Sequence, residues 1–283
     1  MQPTVSLVVP AFNNGSTIAE TLQSLLSQTH SSLEVVVADH GSTDNTRAVL
    51  ETFASDTRVR LLTTEPGGGA ARNWNRVMSE ATGEFVKLVC GDDLLYADAV
   101  ERQVAAFQPG VAMVASQRDI VDARGGLVMS ARGLAGMVGR WDGRAALRRA
   151  VRSGTNPFGE PAFVMFRRAS VVEPMWDASK QYLIDLAGYA RILLVGDLVG
   201  LEGAAGAFRL SASQWSVRLS QSQAEETREF HRELAQQHPD LVTAADLRIG
   251  RIMATVLAGG RRLTYARLGD RMHPASATVG SGK

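Results

Sequence analysis

The chain has 283 residues, 45% of them hydrophobic and 21% charged, with a formal net charge of +1. Its 30 basic and 29 acidic residues are spread along the chain, which excludes the basic stripe of a nucleic-acid binder. The single cysteine, Cys90, excludes an internal disulfide, and no apolar run approaches the ~20 residues of a membrane span. Strand-like residues begin by Val5, so no signal peptide is expected and the protein is read as cytoplasmic.

Val5 to Pro10 (VSLVVP) is apolar without alternation, the pattern of a strand buried on both faces. Thr17 and Glu20 have capping-box spacing, and Ile18, Leu22, Leu25 and Leu26 continue at helical spacing to about Gln28. Leu33 to Ala38 is a second strand followed by the loop DHGSTD, and Val49 and Phe53 share one face of the next helix. Val59 to Leu62 is a third strand with EPGGG as its turn, and Trp74, Val77, Met78 and Ala81 mark a third helix. Phe85 to Cys90 is a fourth strand. A helix capped by Asp98 runs to about Phe107, and a fifth strand spans Val111 to Ser116.

Beyond 116 the pattern weakens. Residues 123 to 160 are rich in Gly and Arg, Ala162 to Phe166 reads as a strand, and Leu183 to Leu194 as a helix. Leu198 to Leu210 is strand and turn; helices follow from Gln223 and over Leu241 to Leu257. The tail from residue 273 has no core residues and is expected to be disordered.

Alternating strands and helices predict an α/β fold with a mainly parallel sheet, in which ligands bind beyond the carboxyl ends of the strands. The loops PAFNNG, DHGSTD and CGDD all lie at such ends and should face one crevice. Asp92 and Asp93, in CGDD, suit a divalent cation such as Mg²⁺ or Mn²⁺, which takes carboxylates together with substrate phosphates. Helix capping is the plainer alternative, and the shared edge favours metal or substrate binding.

The strings VSLVVPAFNNGSTIAETLQSLLSQTH, VVVADHGSTDNT, GGGAARNWNRVMSEATGEFVKLVCGDD and LLYADAV resemble, in order and spacing, the inverting glycosyltransferases of family 2. The match is close over about the first 115 residues and looser through GEPAFVMFRR, YLIDL and FRLSASQWS. The resemblance implies the GT-A fold: a nucleotide-binding, mainly parallel sheet flanked by helices, with a smaller acceptor-side region and C-terminal helices. Residues 1–116 would bind the nucleotide sugar and 117–220 the acceptor and base, with 221–272 a helical extension and 273–283 a tail. Pro10, Phe12 and Asn13 would line the nucleotide pocket, Asp39 would meet the base edge, and Arg72 would lie near the nucleotide. Where the family usually has Asp-x-Asp, Cys90 replaces the first acid. Asp92, with Asp93 beside it, is then the expected metal ligand, and Cys90 is expected to pack.

The implied donor is a nucleoside-diphosphate sugar, of uridine or thymidine, and the implied acceptor a glycan or a lipid-linked molecule. Asp185 matches the position of the catalytic base, with Glu160 its competitor and an N-cap role its plain alternative. Arg209 would balance diphosphate charge, although Ser211 stands where relatives often carry histidine. None of His30, His40, His231, His238 and His273 matches a ligand position; they read as loop or polar-face residues. Trp215 could stack on an acceptor sugar or belong to the core. Arg248, Arg251, Arg261, Arg262 and Arg267, interleaved with Ile252, Val256 and Leu257, fit peripheral contact with an anionic inner membrane face. Packing on the core or on a second subunit in a homodimer is the plainer reading and the favoured one, since most amphipathic helices pack that way.

Other classes lack their marks. The first loop has neither the G-x-G-x-x-G of a dehydrogenase nor the Gly- and Arg-rich loop of a nucleotidyltransferase, and the only Gly-Lys ends the chain. Cys90 and Ser211 leave one non-enzymatic alternative, a degenerate relative that binds sugar nucleotide without turnover.

Overall fold

The computed structural model describes residues 2–211 and 223–273, apart from the side chains of residues 262 and 263. Trp215 and residues 274–283 lie outside the described residues. The first half alternates as its sequence predicts: β1 Val5–Ala11, α1 Ile18–Leu26, β2 Leu33–Asp39, α2 Thr46–Glu51, β3 Val59–Thr63, α3 Gly69–Ser79 and β4 Phe85–Leu88. The short β5 Leu94–Leu95, α4 Ala99–Ala105 and β6 Val111–Asp122 follow, then β7 Leu127–Arg132, β8 Gly139–Trp141 and α5 Gly143–Ser153. The second half continues with β9 Val164–Arg167, α6 Ile184–Leu193, β10 Asp197–Leu210, α7 Gln223–Gln237 and α8 Ala244–Leu268.

Among the described residues the strands form one sheet in the order β3-β2-β1-β4-β9-β6-β10-β5, with β7 on β6 and β8 on β10. β3, β2, β1 and β4 are mutually parallel; β9 then inserts antiparallel between β4 and β6. Both faces are covered. Val5, Leu7 and Val9 pack with Ile18, Leu22 and Leu25 of α1, while Val8 joins the core formed with α3, α5 and α6. That double burial is why β1 shows no alternation, and each such side chain contributes about 1.5–3 kcal/mol.

Several local expectations yield to tertiary contacts. Thr17 heads α1, but its hydroxyl donates to the Gly91 carbonyl (2.7 Å) rather than capping, and Glu20 pairs with Arg209. Asp98 makes no capping bond and lies 3.7 Å from Arg102. Residues 161–163 are a 3-10 turn, so the strand there begins at Val164. α5 emerges from the Gly- and Arg-rich stretch, capped by Asp142 through the Ala145 N–H (2.8 Å) and stopped at Gly154, whose φ is 67°. α8 is longer than its pattern suggested and carries a true capping box, Thr243 with Asp246. It crosses α5 closely: a Cβ on Gly250 would stand 2.2 Å from the Val151 carbonyl oxygen. Among the described residues no helix is long and apolar enough to cross a membrane.

Candidate active site

The parallel strands bring their carboxyl ends to one edge, and side chains from successive loops tie that edge together. β1 ends in buried Pro10 and Ala11; Phe12 is 55% exposed, and Asn13 turns the chain with φ 51°. The Asn13 N–H donates to Ser42 Oγ (2.9 Å), and Asn13 Oδ1 accepts from the Thr43 N–H (2.8 Å). Ser42 Oγ in turn donates to Asp39 Oδ1 (2.5 Å), so Asn13 and the buried Asp39 share one bridge. The Phe12 ring meets the His40 ring edge-on at 6.1 Å, and His40 is hydrogen-bonded to the Gly67 carbonyl (2.9 Å). Buried Asn73 joins three strand ends, donating to the Ala11 (3.4 Å) and Ala38 (3.0 Å) carbonyls and accepting from Thr64 (2.7 Å). The fourth loop closes against the first, because Gly91 approaches Asn14 so closely that a Cβ would stand 2.7 Å from Asn14 Oδ1. Arg72 is exposed and donates to the Pro66 carbonyl (3.2 Å). It lines an open cleft of about 620 Å³ with Asn75, Arg76 and Glu173, and none of the acids described next lines that cleft.

The charges of four carboxylates are felt at Cys90. Burial first, then the charges of Asp93, Asp92, Asp185 and Glu160, push the Cys90 thiol well up. The residue is half-buried and packs on the core, as its neutral form allows. Burial raises Asp92 to about 6, opposed by Arg209, and raises Asp93 well above the usual carboxylate range with help from Asp92 and Glu160. Arg209 is engaged on both sides, donating to the Asp92 carbonyl (3.3 Å) and to Glu20 (2.7 Å).

Glu160 and Asp185 differ in their partners. Glu160 is gripped by Arg118, with Nε 2.6 Å from Oε2 and Nη2 3.0 Å from Oε1. Asp185 forms no ion pair among the described residues; Asn156 Nδ2 donates to its Oδ2 (2.7 Å) and the Leu186 N–H to its Oδ1 (2.6 Å). Burial, partly opposed by these bonds and reinforced by Glu160, lifts Asp185 to about 7. Its N-cap alternative is not realised, since Leu183 occupies that position in α6.

This edge can hold a polyanion and, with it, a divalent cation. Among the described residues no three His, Cys, Asp or Glu side chains already form a metal site. Two carboxylates completed by ligand phosphates is an ordinary Mg²⁺ or Mn²⁺ donor set. Asp93 Oδ1 fits that demand, being buried without a hydrogen-bond partner among the described residues.

The family model for Glycosyl transferase family 2 matches residues 6–173, more than half of the chain. The chain belongs to glycosyl transferase family 2. The matched span of this family 2 member takes in Asp39, Asp92, Asp93 and Glu160, and stops before Asp185 and Arg209. Glycosyltransferase GlyG of Streptococcus pneumoniae is 37% identical over 102 residues, 36% of this chain and 34% of GlyG. The Escherichia coli protein WfgD, a UDP-Glc:alpha-D-GlcNAc-diphosphoundecaprenol beta-1,3-glucosyltransferase, is 38% identical over 101 residues, 36% of this chain and 40% of WfgD. The chain therefore matches well under half the length of these relatives. S. aureus TarS 1-349 in complex with UDP-GlcNAc superposes with a TM-score of 0.62 at 18% identity, over 94% of this chain and 74% of that one. The mannosyltransferase PcManGT of Pyrobaculum calidifontis, in complex with GDP-Man and Mn2+, gives 0.60 at 18% identity over 95% and 81%. The family 2 chain has the GT-A fold that its motifs suggested.

Some site residues of this family 2 chain escaped the sequence reading. Arg118 sits inside a strand that the pattern ended at Ser116, and Asn156 lies in the Gly-rich stretch without periodicity. Asn73 carried a readable signal, a polar residue on the apolar face of α3.

Proposed function

We propose that the protein transfers a sugar, with inversion, from a nucleoside-diphosphate donor to a hydroxyl of a glycan or lipid-linked acceptor. The observation that carries this reading is Asp185: an acid with no cation partner among the described residues, raised to about 7, whose charge acts on Cys90 together with those of Asp92 and Asp93. A base works best when its pKa lies near the working pH, and accepting a proton costs Asp185 no ion pair. Glu160 would have to give up Arg118 to do the same, so it is assigned to orienting the acceptor. The acceptor hydroxyl loses its proton to Asp185 while its oxygen bonds to the anomeric carbon. The bond from that carbon to the diphosphate breaks on the opposite face, and the nucleoside diphosphate leaves with the electron pair.

Pro10, Phe12 and Asn13 are assigned to the nucleotide, Asp39 to the imide N–H of a uracil or thymine base, and Arg72 to the nucleotide flank. Asp92 and Asp93 would hold Mg²⁺ or Mn²⁺, which when bound offsets diphosphate charge. The TarS and PcManGT complexes, with UDP-GlcNAc and with GDP-Man and Mn2+, support this class of donor and a metal requirement. WfgD, whose acceptor is diphosphoundecaprenol-linked, supports a lipid-linked acceptor. An acceptor of that kind places the protein at the inner membrane face of the cytoplasm.

A thermal-shift screen of nucleoside diphosphates and their sugars, with and without Mn²⁺, tests the donor assignment, since a bound donor raises stability with the logarithm of its concentration. A metal-dependent shift by a UDP- or dTDP-sugar, with slow donor hydrolysis, is expected. Tight binding without hydrolysis or transfer would instead identify the degenerate, binding-only relative.

A further inference from the structure

α7 and α8 meet in a cleft of about 190 Å³ lined by Arg228, His231, Arg232, Arg248 and Arg251. All four arginines are exposed, and none forms an ion pair or donates a side-chain hydrogen bond among the described residues. The pattern predicts a loop or polar-face position for His231, yet it is 2% exposed, and its Nε2 is buried with no hydrogen-bond partner among the described residues. Burial pushes it down to about 4, so it lines the cleft as a neutral imidazole. A buried polar atom without a partner beneath four unpaired guanidiniums is a site short of an anion.

A second feature adjoins this cleft. Ile249, Ile252, Met253 and Val256 recur at i, i+3, i+4 and i+7 on α8, and all are exposed, Ile252 by 60% and Val256 by 59%. On a helical wheel the stripe lies away from buried Gly250 and Ala254 and borders Arg248, with Arg251 about 60° further round toward Ala254. A guanidinium flanking an exposed apolar stripe matches the boundary between lipid headgroups and acyl chains.

We propose that the α7–α8 face is a docking surface for an anionic phospholipid bilayer, with the arginines on headgroup phosphates and the α8 stripe set into the interface. A second copy of this chain is a poorer occupant, because a two-fold contact would set the four guanidiniums against the same four. Residues 212–222 and 274–283 contain no Asp or Glu that could neutralise them. The surface also has a route to the reaction. Arg261, farther along α8, donates to Thr155 Oγ1 (3.2 Å), and the next residue, Asn156, holds Asp185. The proposal deepens the lipid-linked acceptor reading, and its test requires neither donor nor turnover.

The full chain is mixed with vesicles of phosphatidylcholine alone or blended with phosphatidylglycerol, at low and high salt, and bound protein is sedimented. Binding to the anionic vesicles alone, weakened by salt, is expected. A basic residue near an anionic leaflet contributes about 1 kcal/mol, so Arg248→Ala with Arg251→Ala should weaken partition roughly thirtyfold. Ile252→Asp with Val256→Asp should abolish it, while circular dichroism and the urea midpoint stay at wild-type levels. Equal binding to neutral vesicles, no binding, or binding untouched by both double variants overturns the proposal. So does a concentration-dependent dimer that Ile252→Asp dissolves, or a thermal shift by inorganic diphosphate in a protein that ignores vesicles.

Discussion

Replacing Asp185 by Asn separates the chemistry of this site from its stability. The folded carboxyl titrates at about 7 against 3.8 for the ordinary side chain. The folded state therefore holds the proton more tightly than the unfolded chain. The resulting stabilisation is complete below about pH 3.8 and is lost as pH rises through about 7. Between pH 5 and pH 9 the wild type should lose about 2 pH units' worth of this linkage, roughly 3 kcal/mol, which Asp185→Asn does not lose. One constant offset applies at every pH, because an amide oxygen replaces only one of the two acceptors serving Asn156 and the Leu186 N–H, a cost of about 1 kcal/mol. Urea titrations of both proteins at pH 5 and pH 9 read the gap directly. Loss of a general base costs about 10²–10⁴ in rate, so transfer should collapse while donor-induced thermal shifts persist. Wild-type turnover should rise with pH and level off above about 7. Near-normal rates in Asp185→Asn, or a stability gap that does not change with pH, would refute the assignment of Asp185 as a buried base.

Arg118→Met leaves Glu160 as a largely buried carboxylate without its cation. Exposure of the two side chains, 12% and 26%, moderates the cost to about 2 kcal/mol, read by denaturant unfolding, with impaired acceptor use and intact donor binding. Gly250→Ala drives a Cβ into the Val151 carbonyl oxygen at 2.2 Å, so α8 must move off α5. The expected loss is about 1–3 kcal/mol, seen as a Tm several degrees lower; an unchanged Tm would mean that the two helices are not held so closely.

Most of the first half of the protein is legible in its residues. β1, β2 and β4 are buried on both faces while the edge strand β3 exposes Arg60, the loops are polar, and the order of the strings from VSLVVP to CGDD puts Asn13, Asp39 and Asp92 at the carboxyl ends of strands. Such inferences rest on local periodicity and on the rule that parallel strands end at a common edge. The tertiary structure decided what periodicity cannot encode. β9 enters the sheet antiparallel between β4 and β6, an arrangement set by long-range pairing rather than by its own residues. Thr17 and Glu20 have capping-box spacing, yet each finds a partner remote in sequence, Gly91 and Arg209. Nothing in the periodicity singles out Arg118 or Asn156; folding sets one against Glu160 and the other against Asp185. A carboxylate's chemistry depends on its burial and on the charge beside it, and both are properties of neighbours that only the folded chain brings together.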